Sequence, residues 1–136
     1  MRDTAEVARV LAQHRVDSVI HFAGLKAVGD STSDPLSYYD VNVTGTVSLL
    51  SAMNESGVRR LVFSSSATVY GEPEHVPIRE SHPVSPCNPY GRTKLAAEQI
   101  LRDLAQADPA WHIALLRYFN PIGADAAGLL GEQPRG

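Results

Sequence analysis

Three short apolar runs constrain the fold of this chain more than any other feature. They are DSVIHFAG at residues 17–24, RRLVFSSS at 59–66 and WHIALLRYFNP at 111–121. Each is almost unbroken in apolar residues and then stops at glycine, serine or asparagine, as a strand covered on both faces of a sheet would read. Helical patterns separate them. AEVARVLAQHR at 5–15 has Val7, Val10 and Leu11 at helical spacing, with Asp3 or Thr4 placed to cap it. Residues 25–34 read as a loop. Pro35 suits the first turn of a long helix striped by Tyr39, Val43, Val47 and Leu50 and stopped by Gly57. YGRTKLAAEQILRDLAQA at 90–107 is a third helix with Leu95, Ile100, Leu101 and Leu104 on its apolar side. Residues 71–89 hold five prolines and no periodicity, so they form a long loop of the kind that is usually functional.

Helix alternating with apolar strand predicts parallel βαβ units joined by right-handed crossovers, an α/β fold. In such sheets ligands bind beyond the carboxyl ends of the strands. Those ends carry FAGLK at 22–26, SSSATVYG at 64–71 and RYFNPIG at 117–123, all rich in small, hydroxyl or amide residues. Three sequence-distant segments are therefore expected to converge on one rim.

Other function classes find no support. The net charge of −3 provides no electrostatic case for nucleic acid or an anionic membrane. His14, His21, His75, His82 and His112 are scattered without ligand spacing, so no metal is expected. Cys87 is the only cysteine, and no apolar run approaches the ~18 residues of a membrane span. The start, MRDTAEVARVLAQHR, lacks the apolar centre of a signal peptide, and a cytoplasmic protein is expected.

The candidate chemistry lies in NPYGRTK at 88–94. Tyr90 and Lys94 sit four apart at the mouth of a helix, hence on one face of it. An ammonium beside a phenol favours the phenolate and lowers a pKa that starts near ~10. A tyrosine so tuned takes a proton from an alcohol near neutral pH and returns it later. Ser66, at a strand end, is placed to hold the same oxygen. Tyr-x-x-x-Lys alone is common by chance. The strand ending in three serines and the long loop ahead of the pair turn it into a candidate site.

SSSATVYG, NPYGRTK and LLRYFNP at 115–121, with HFAGLKAVGDS at 21–31 upstream, resemble the extended short-chain dehydrogenase/reductases, and among them the nucleotide-sugar epimerases. The resemblance covers essentially the whole chain. It implies a Rossmann-like, doubly wound parallel sheet, here partial and lacking its first strands. It implies NAD as cofactor and a UDP-sugar as substrate, with UDP-glucose and UDP-galactose interconverted by transient oxidation at C4. Tyr90 is then the catalytic base, Lys94 its partner and a ligand of the nicotinamide ribose, and Ser66 the third catalytic residue. Phe22, Ala23, Gly24, Leu25 and Lys26 match the turn that passes the NAD pyrophosphate and ribose. Asn42, in NVTGT, matches a helix asparagine near the active site, or else ties neighbouring backbone together. Ser64 and Ser65 line the nicotinamide, although one of them reads equally as a satisfied strand-end hydroxyl. Phe119 matches a residue beside the nicotinamide and Asn120 one that binds the substrate diphosphate. Tyr118 reads as packing and His21 as a satisfied core histidine.

The resemblance also separates two reactions. Nucleotide-sugar 4,6-dehydratases carry Asp-Glu directly after the catalytic hydroxyl, whereas Ala67 and Thr68 follow Ser66 here, which disfavours dehydration. A homodimer formed through helices matching 35–56 and 90–106 is implied as well. No G-x-x-G-x-x-G turn occurs in the chain. Residues 1–136 are accordingly expected to be one partial NAD-binding domain, without roughly sixty residues of the glycine-rich half and without the smaller substrate domain. Alone, such a piece is expected to bind NAD poorly and not to epimerise. The alternative is a non-catalytic remnant that serves in binding or dimerisation.

Overall fold

A computed structural model describes residues 1–131, and the end of the tail, 132–136, lies outside the described residues. The elements run in the order α1 (Thr4–Gln13), β1 (Val19–His21), α2 (Val28–Ser33), α3 (Pro35–Tyr39), a π-helical turn (Asp40–Thr44), α4 (Gly45–Glu55), β2 (Arg60–Ser66), a 3-10 turn (Ala67–Tyr70), α5 (Pro89–Ala107) and β3 (His112–Tyr118). The three strands form one parallel sheet in the order β1-β2-β3. Val19 pairs with Leu61, and Ser66 with Tyr118, so all three strands point their carboxyl ends to the same rim.

Both crossovers advance in the same direction across the sheet. Right-handed connections therefore put their helices on one face. The core lies between that face and the helices: Leu61 and Phe63 of β2 against Leu49, Leu50, Ala52 and Met53 of α4, and Ala97 and Leu101 of α5. Leu11 of α1 and Trp111, just ahead of β3, close it. The other face is open among the described residues, with Ile20 63 % and Leu116 40 % exposed. Apolar residues on both faces of the strands fit the expected doubly wound parallel sheet, of which the described residues hold the helical layer of one face. Side chains alternate along a strand, so the second apolar set in each run points away from the only helical layer described.

Residues 28–33, expected to be loop, form the short α2. Asp34 follows it, and its side chain accepts from the Ser37 N–H at 3.3 Å and so starts α3. The helix expected from Pro35 is continuous to Glu55 but carries the π-helical turn, where the Gly45 N–H bonds back to the Asp40 carbonyl. The hydroxyl of Thr46 donates to the Asn42 carbonyl at 2.6 Å beside this turn. The extra residue of a π turn rotates the following helix face by about 100°. Consequently the stripe Tyr39–Val43–Val47–Leu50 does not face the core as one line: Val47 is 43 % exposed, while Thr46, Ser48, Leu49 and Met53 are buried. The 3-10 turn at 67–70 and the loop that follows it lead into α5, which Asn88 caps by accepting from the Gly91 N–H at 2.8 Å.

The buried face of α5 also departs from its apolar stripe. Leu101 is buried as expected, but its buried neighbours are Gly91, Thr93, Lys94, Ala97 and Glu98, with Leu95, Ile100 and Leu104 only half-buried. A helix whose buried face is this polar must meet polar partners, because an unpaired buried donor or charge is strongly unfavourable. Those partners are at the carboxyl end of β2.

Candidate active site

The three serines that end β2 go to three different partners. The Ser64 carbonyl accepts from Lys94 Nζ at 2.9 Å. The Ser65 hydroxyl donates to Glu98 Oε1 at 2.6 Å, on the helix side. Ser66 caps the 3-10 turn, its Oγ accepting from the Thr68 N–H at 3.2 Å and from the Thr68 hydroxyl at 2.9 Å. Alternation along the strand, which sends neighbouring side chains to opposite faces, explains why Ser65 leaves the rim and its neighbours do not. Of the two serines first read as lining a nicotinamide, Ser65 is thus the satisfied strand-end hydroxyl.

Lys94 is buried, and its Nζ lies 5.0 Å from the Phe63 ring centroid and 5.8 Å from that of Tyr90. Burial lowers its pKa from 10.5 to about 8. The ammonium has three N–H donors, and the Ser64 carbonyl takes one; among the described residues no partner takes the other two. Tyr90 is half-buried at the mouth of α5. Among the described residues its hydroxyl is hydrogen-bonded neither to Lys94 nor to Ser66.

Asn42, buried on the π-helical turn, ties three segments together. Its Oδ1 accepts from the Leu25 N–H at 2.8 Å, and its Nδ2 donates to the Leu25 carbonyl at 3.0 Å and to Thr93 Oγ1 at 3.1 Å. Thr93 in turn donates to the Tyr90 carbonyl at 2.7 Å. The turn at residues 22–26 is thereby fastened to the helix that carries Tyr90 and Lys94. Gly24 passes so close that a Cβ there would stand 2.9 Å from Asn42 Oδ1 and 3.9 Å from Lys94 Nζ. Phe22, Ala23, Leu25 and Lys26 lie exposed along the rim. Phe22 stacks obliquely against Tyr118, their centroids 6.5 Å apart. Phe119 and Asn120 follow the last residue of β3 on the same rim, both exposed.

Four contributors were not visible in the sequence pattern. Gly91 lets the first turn of α5 sit against the 3-10 turn, since a Cβ would stand 2.9 Å from the Thr68 carbonyl oxygen. Thr68, read only as a residue unable to replace an acid or base, is bonded to Ser66. Glu98 and Arg117 form a two-pronged ion pair, Nε to Oε1 at 2.9 Å and Nη2 to Oε2 at 2.7 Å. Burial alone would raise the Glu98 pKa, but the hydrogen bonds from Arg117 and Ser65 outweigh it and hold the carboxyl below its usual range. Arg117 also lies over the Tyr70 ring, 4.7 Å from its centroid. The only local sign of this network was a glutamate four residues after Lys94.

His21 is a satisfied core histidine, as read from the sequence. Thr46 spends its one proton on the Asn42 carbonyl, so the 3.0 Å contact between His21 Nε2 and Thr46 Oγ1 requires the proton on Nε2. Burial, and then the charge of Lys94, push the pKa of His21 down to about 4 from 6.5. Neutral His21 therefore favours the fold fully above pH 6.5, and that contribution of about 3 kcal/mol is lost as pH falls through about 4. Urea unfolding across this window should show the loss. His21→Gln should flatten the slope, and equal slopes in the two proteins would remove His21 as its source.

The family model for the NAD dependent epimerase/dehydratase family matches residues 1–132. The UDP-glucose 4-epimerase of Bos taurus is 57 % identical over 135 residues, covering 98 % of this chain and 39 % of the relative. That of Bacillus subtilis (strain 168) is 58 % identical over 134 residues, with 98 % and 40 % covered. Among solved structures, the UDP-glucose 4-epimerase from Stenotrophomonas maltophila, bound to NAD and formylated UDP-arabinopyranose, superposes with a TM-score of 0.96 at 52 % identity over 99 % of this chain and 40 % of that one. The enzyme from Bifidobacterium longum, in complex with NAD+ and UDP, gives 0.94 at 56 % identity over 99 % and 41 %. This chain spans about two-fifths of the length of these relatives.

Proposed function

This chain belongs to the NAD dependent epimerase/dehydratase family, and on that footing we propose that its site serves the NAD-dependent 4-epimerisation of a UDP-hexose, interconverting UDP-glucose and UDP-galactose. The observation that carries the reading is the buried Lys94, fixed between the Ser64 carbonyl and the Tyr90 ring, with two N–H donors that no partner takes among the described residues. Two spare donors on a buried cation fit the hydroxyls of a nucleotide ribose, and the Cβ-free Gly24 leaves backbone beside them for a close approach. The residues present thus fit NAD. When bound, NAD supplies a reversible hydride acceptor for the sugar C4.

The chain's own groups do the rest. Tyr90 removes the proton of the sugar 4-hydroxyl and later returns it. Lys94 holds the ribose and keeps positive charge beside the phenol, while Ser66 holds the substrate oxygen. Phe22, Ala23, Gly24, Leu25, Lys26, Asn42, Ser64 and Phe119 frame the cofactor, and Asn120 meets the substrate diphosphate. No acid–base pair follows Ser66, so the oxidised sugar is reduced again rather than dehydrated. The residues form part of a single nucleotide-binding domain. A homodimer is part of the same proposal, supported by the apolar cleft that Val47, Leu50, Ile100 and Leu104 line between α4 and α5. So is a cytoplasmic location, supported by one free, exposed thiol at Cys87. No described helix is long and apolar enough to cross a membrane.

The test is a coupled assay for UDP-glucose formed from UDP-galactose, run on the full reading frame that contains these residues. Turnover with no 4-keto-6-deoxy product supports the reading. Absence of turnover in a folded, NAD-loaded protein overturns it.

A further inference from the structure

The Ser66 hydroxyl has an unusual hydrogen-bonding state for a group at a proton-transfer site. A hydroxyl offers one O–H donor and two acceptor lone pairs. Both acceptor positions of Ser66 Oγ are occupied by the same residue: the Thr68 N–H at 3.2 Å and the Thr68 hydroxyl at 2.9 Å. The backbone bond follows from Ser66 capping the 3-10 turn. The second bond does not, because any residue but proline at position 68 would supply the N–H, whereas the other comes from the threonine hydroxyl. Position 68 is itself held in place, since its carbonyl packs against Gly91 at the start of α5.

We propose that Thr68 is a positioning residue that makes Ser66 a donor only, with the Ser66 proton left for the sugar oxygen and Tyr90 as the sole acceptor of the substrate proton. A serine with a free lone pair can accept from the 4-hydroxyl and so compete with Tyr90 for the proton. Saturating both lone pairs removes that competing arrangement and assigns the two hydroxyls opposite roles. Thr68 touches neither substrate nor cofactor in this scheme; it acts through Ser66.

The inference rests on the epimerase reading for its kinetic consequence but not for its structural one, so the two fail separately. Thr68→Val keeps the shape and the backbone N–H and deletes the second donor. In the full reading frame it is expected to lower kcat roughly tenfold with KM for UDP-galactose and NAD content within about twofold, as for the loss of one directing hydrogen bond. Thr68→Ser, which restores the donor, is expected to recover kcat to within about twofold of the parent. Unchanged kcat in Thr68→Val, or no rescue by serine, overturns the proposal. Neutron diffraction on the unsubstituted protein provides the readout that needs no activity. The Ser66 deuteron should point away from Thr68, with the Thr68 deuteron directed at Ser66 Oγ. The reverse orientation overturns the proposal even in an active enzyme. A protein without turnover but with the expected deuterons leaves this inference standing and overturns the epimerase reading instead.

Discussion

Tyr90→Phe is expected to lower kcat by about 10²–10⁴-fold, the usual range for loss of a positioned general base. The substitution deletes one oxygen and keeps the ring. The contact between the Lys94 ammonium and that ring, 5.8 Å to its centroid, is retained. So are the bonds of Thr93 to the Tyr90 carbonyl and of Asn42 to Thr93, because they use the backbone and neighbouring side chains. NAD content and KM should therefore change little, and the loss should fall on kcat alone. That pattern marks an interaction used in the transition state rather than in binding. A Tyr90→Phe protein turning over within twofold of its parent would remove the phenol from the role of base.

Arg117→Leu is expected to destabilise the fold by about 3–5 kcal/mol, the range for breaking one half of a buried ion pair. The side chain of Glu98 is 1 % exposed and that of Arg117 15 %. Without Arg117 the carboxylate keeps Ser65 and the distant Arg102 contact at 3.5 Å, which is too little to compensate a buried charge. Against a total stability of roughly 5–15 kcal/mol, such a loss would show at once as a lower urea midpoint. The double variant Glu98→Leu/Arg117→Leu should recover a large part of it, since the uncompensated charge goes too. A double variant as unstable as the sum of the single ones would show that the pair is not coupled. The carboxyl is held below its usual range, so its stabilising contribution is present above the ordinary 4.5 and is lost as pH falls through its folded value. That window lies at the acid end of the one assigned to His21, which begins at 6.5.

The two predictions concern the same helix. Lys94 and Glu98 stand one turn apart on its buried face, the first bonded to the Ser64 carbonyl and the second to the Ser65 hydroxyl. The strand end is thus held at two successive residues by two opposite charges. Ser66, the next residue, is left to the 3-10 turn and to Thr68. A change at Glu98 or Arg117 is for this reason expected to reach Ser66 through the backbone of β2.

Much of the fold was legible from local pattern. An apolar run of strand length followed by a helical period reports parallel βαβ units, because each element must hide one face. The polar strand ends were legible for the same reason: the apolar run stops where the sheet meets its rim. Which side of the sheet carries these helices was not legible, because Ile20 and Leu116 are as apolar as Leu61 and Phe63, while among the described residues only the latter pair has helices over it. The helix register after Asp40 was also hidden. A single π-helical turn leaves no mark on composition but rotates every later residue.

By itself, the sequence determined the order of the three strands and of the long helices between them, the rim on which the strand ends gather and the Tyr90–Lys94 spacing on one helix face. These are properties of short segments, governed by period and by turn chemistry. Only the tertiary structure decided which serine serves which partner, that Asn42 ties Leu25 to Thr93, that Glu98 pairs with Arg117, and that Thr68 saturates Ser66. Most of these contacts join residues far apart in the chain, and even the short one depends on the turn that α5 packs against. A buried polar group takes whichever donor or acceptor the packed fold brings to it. Spacing along the chain places the two groups on their elements, and the packing of one element against another makes them partners.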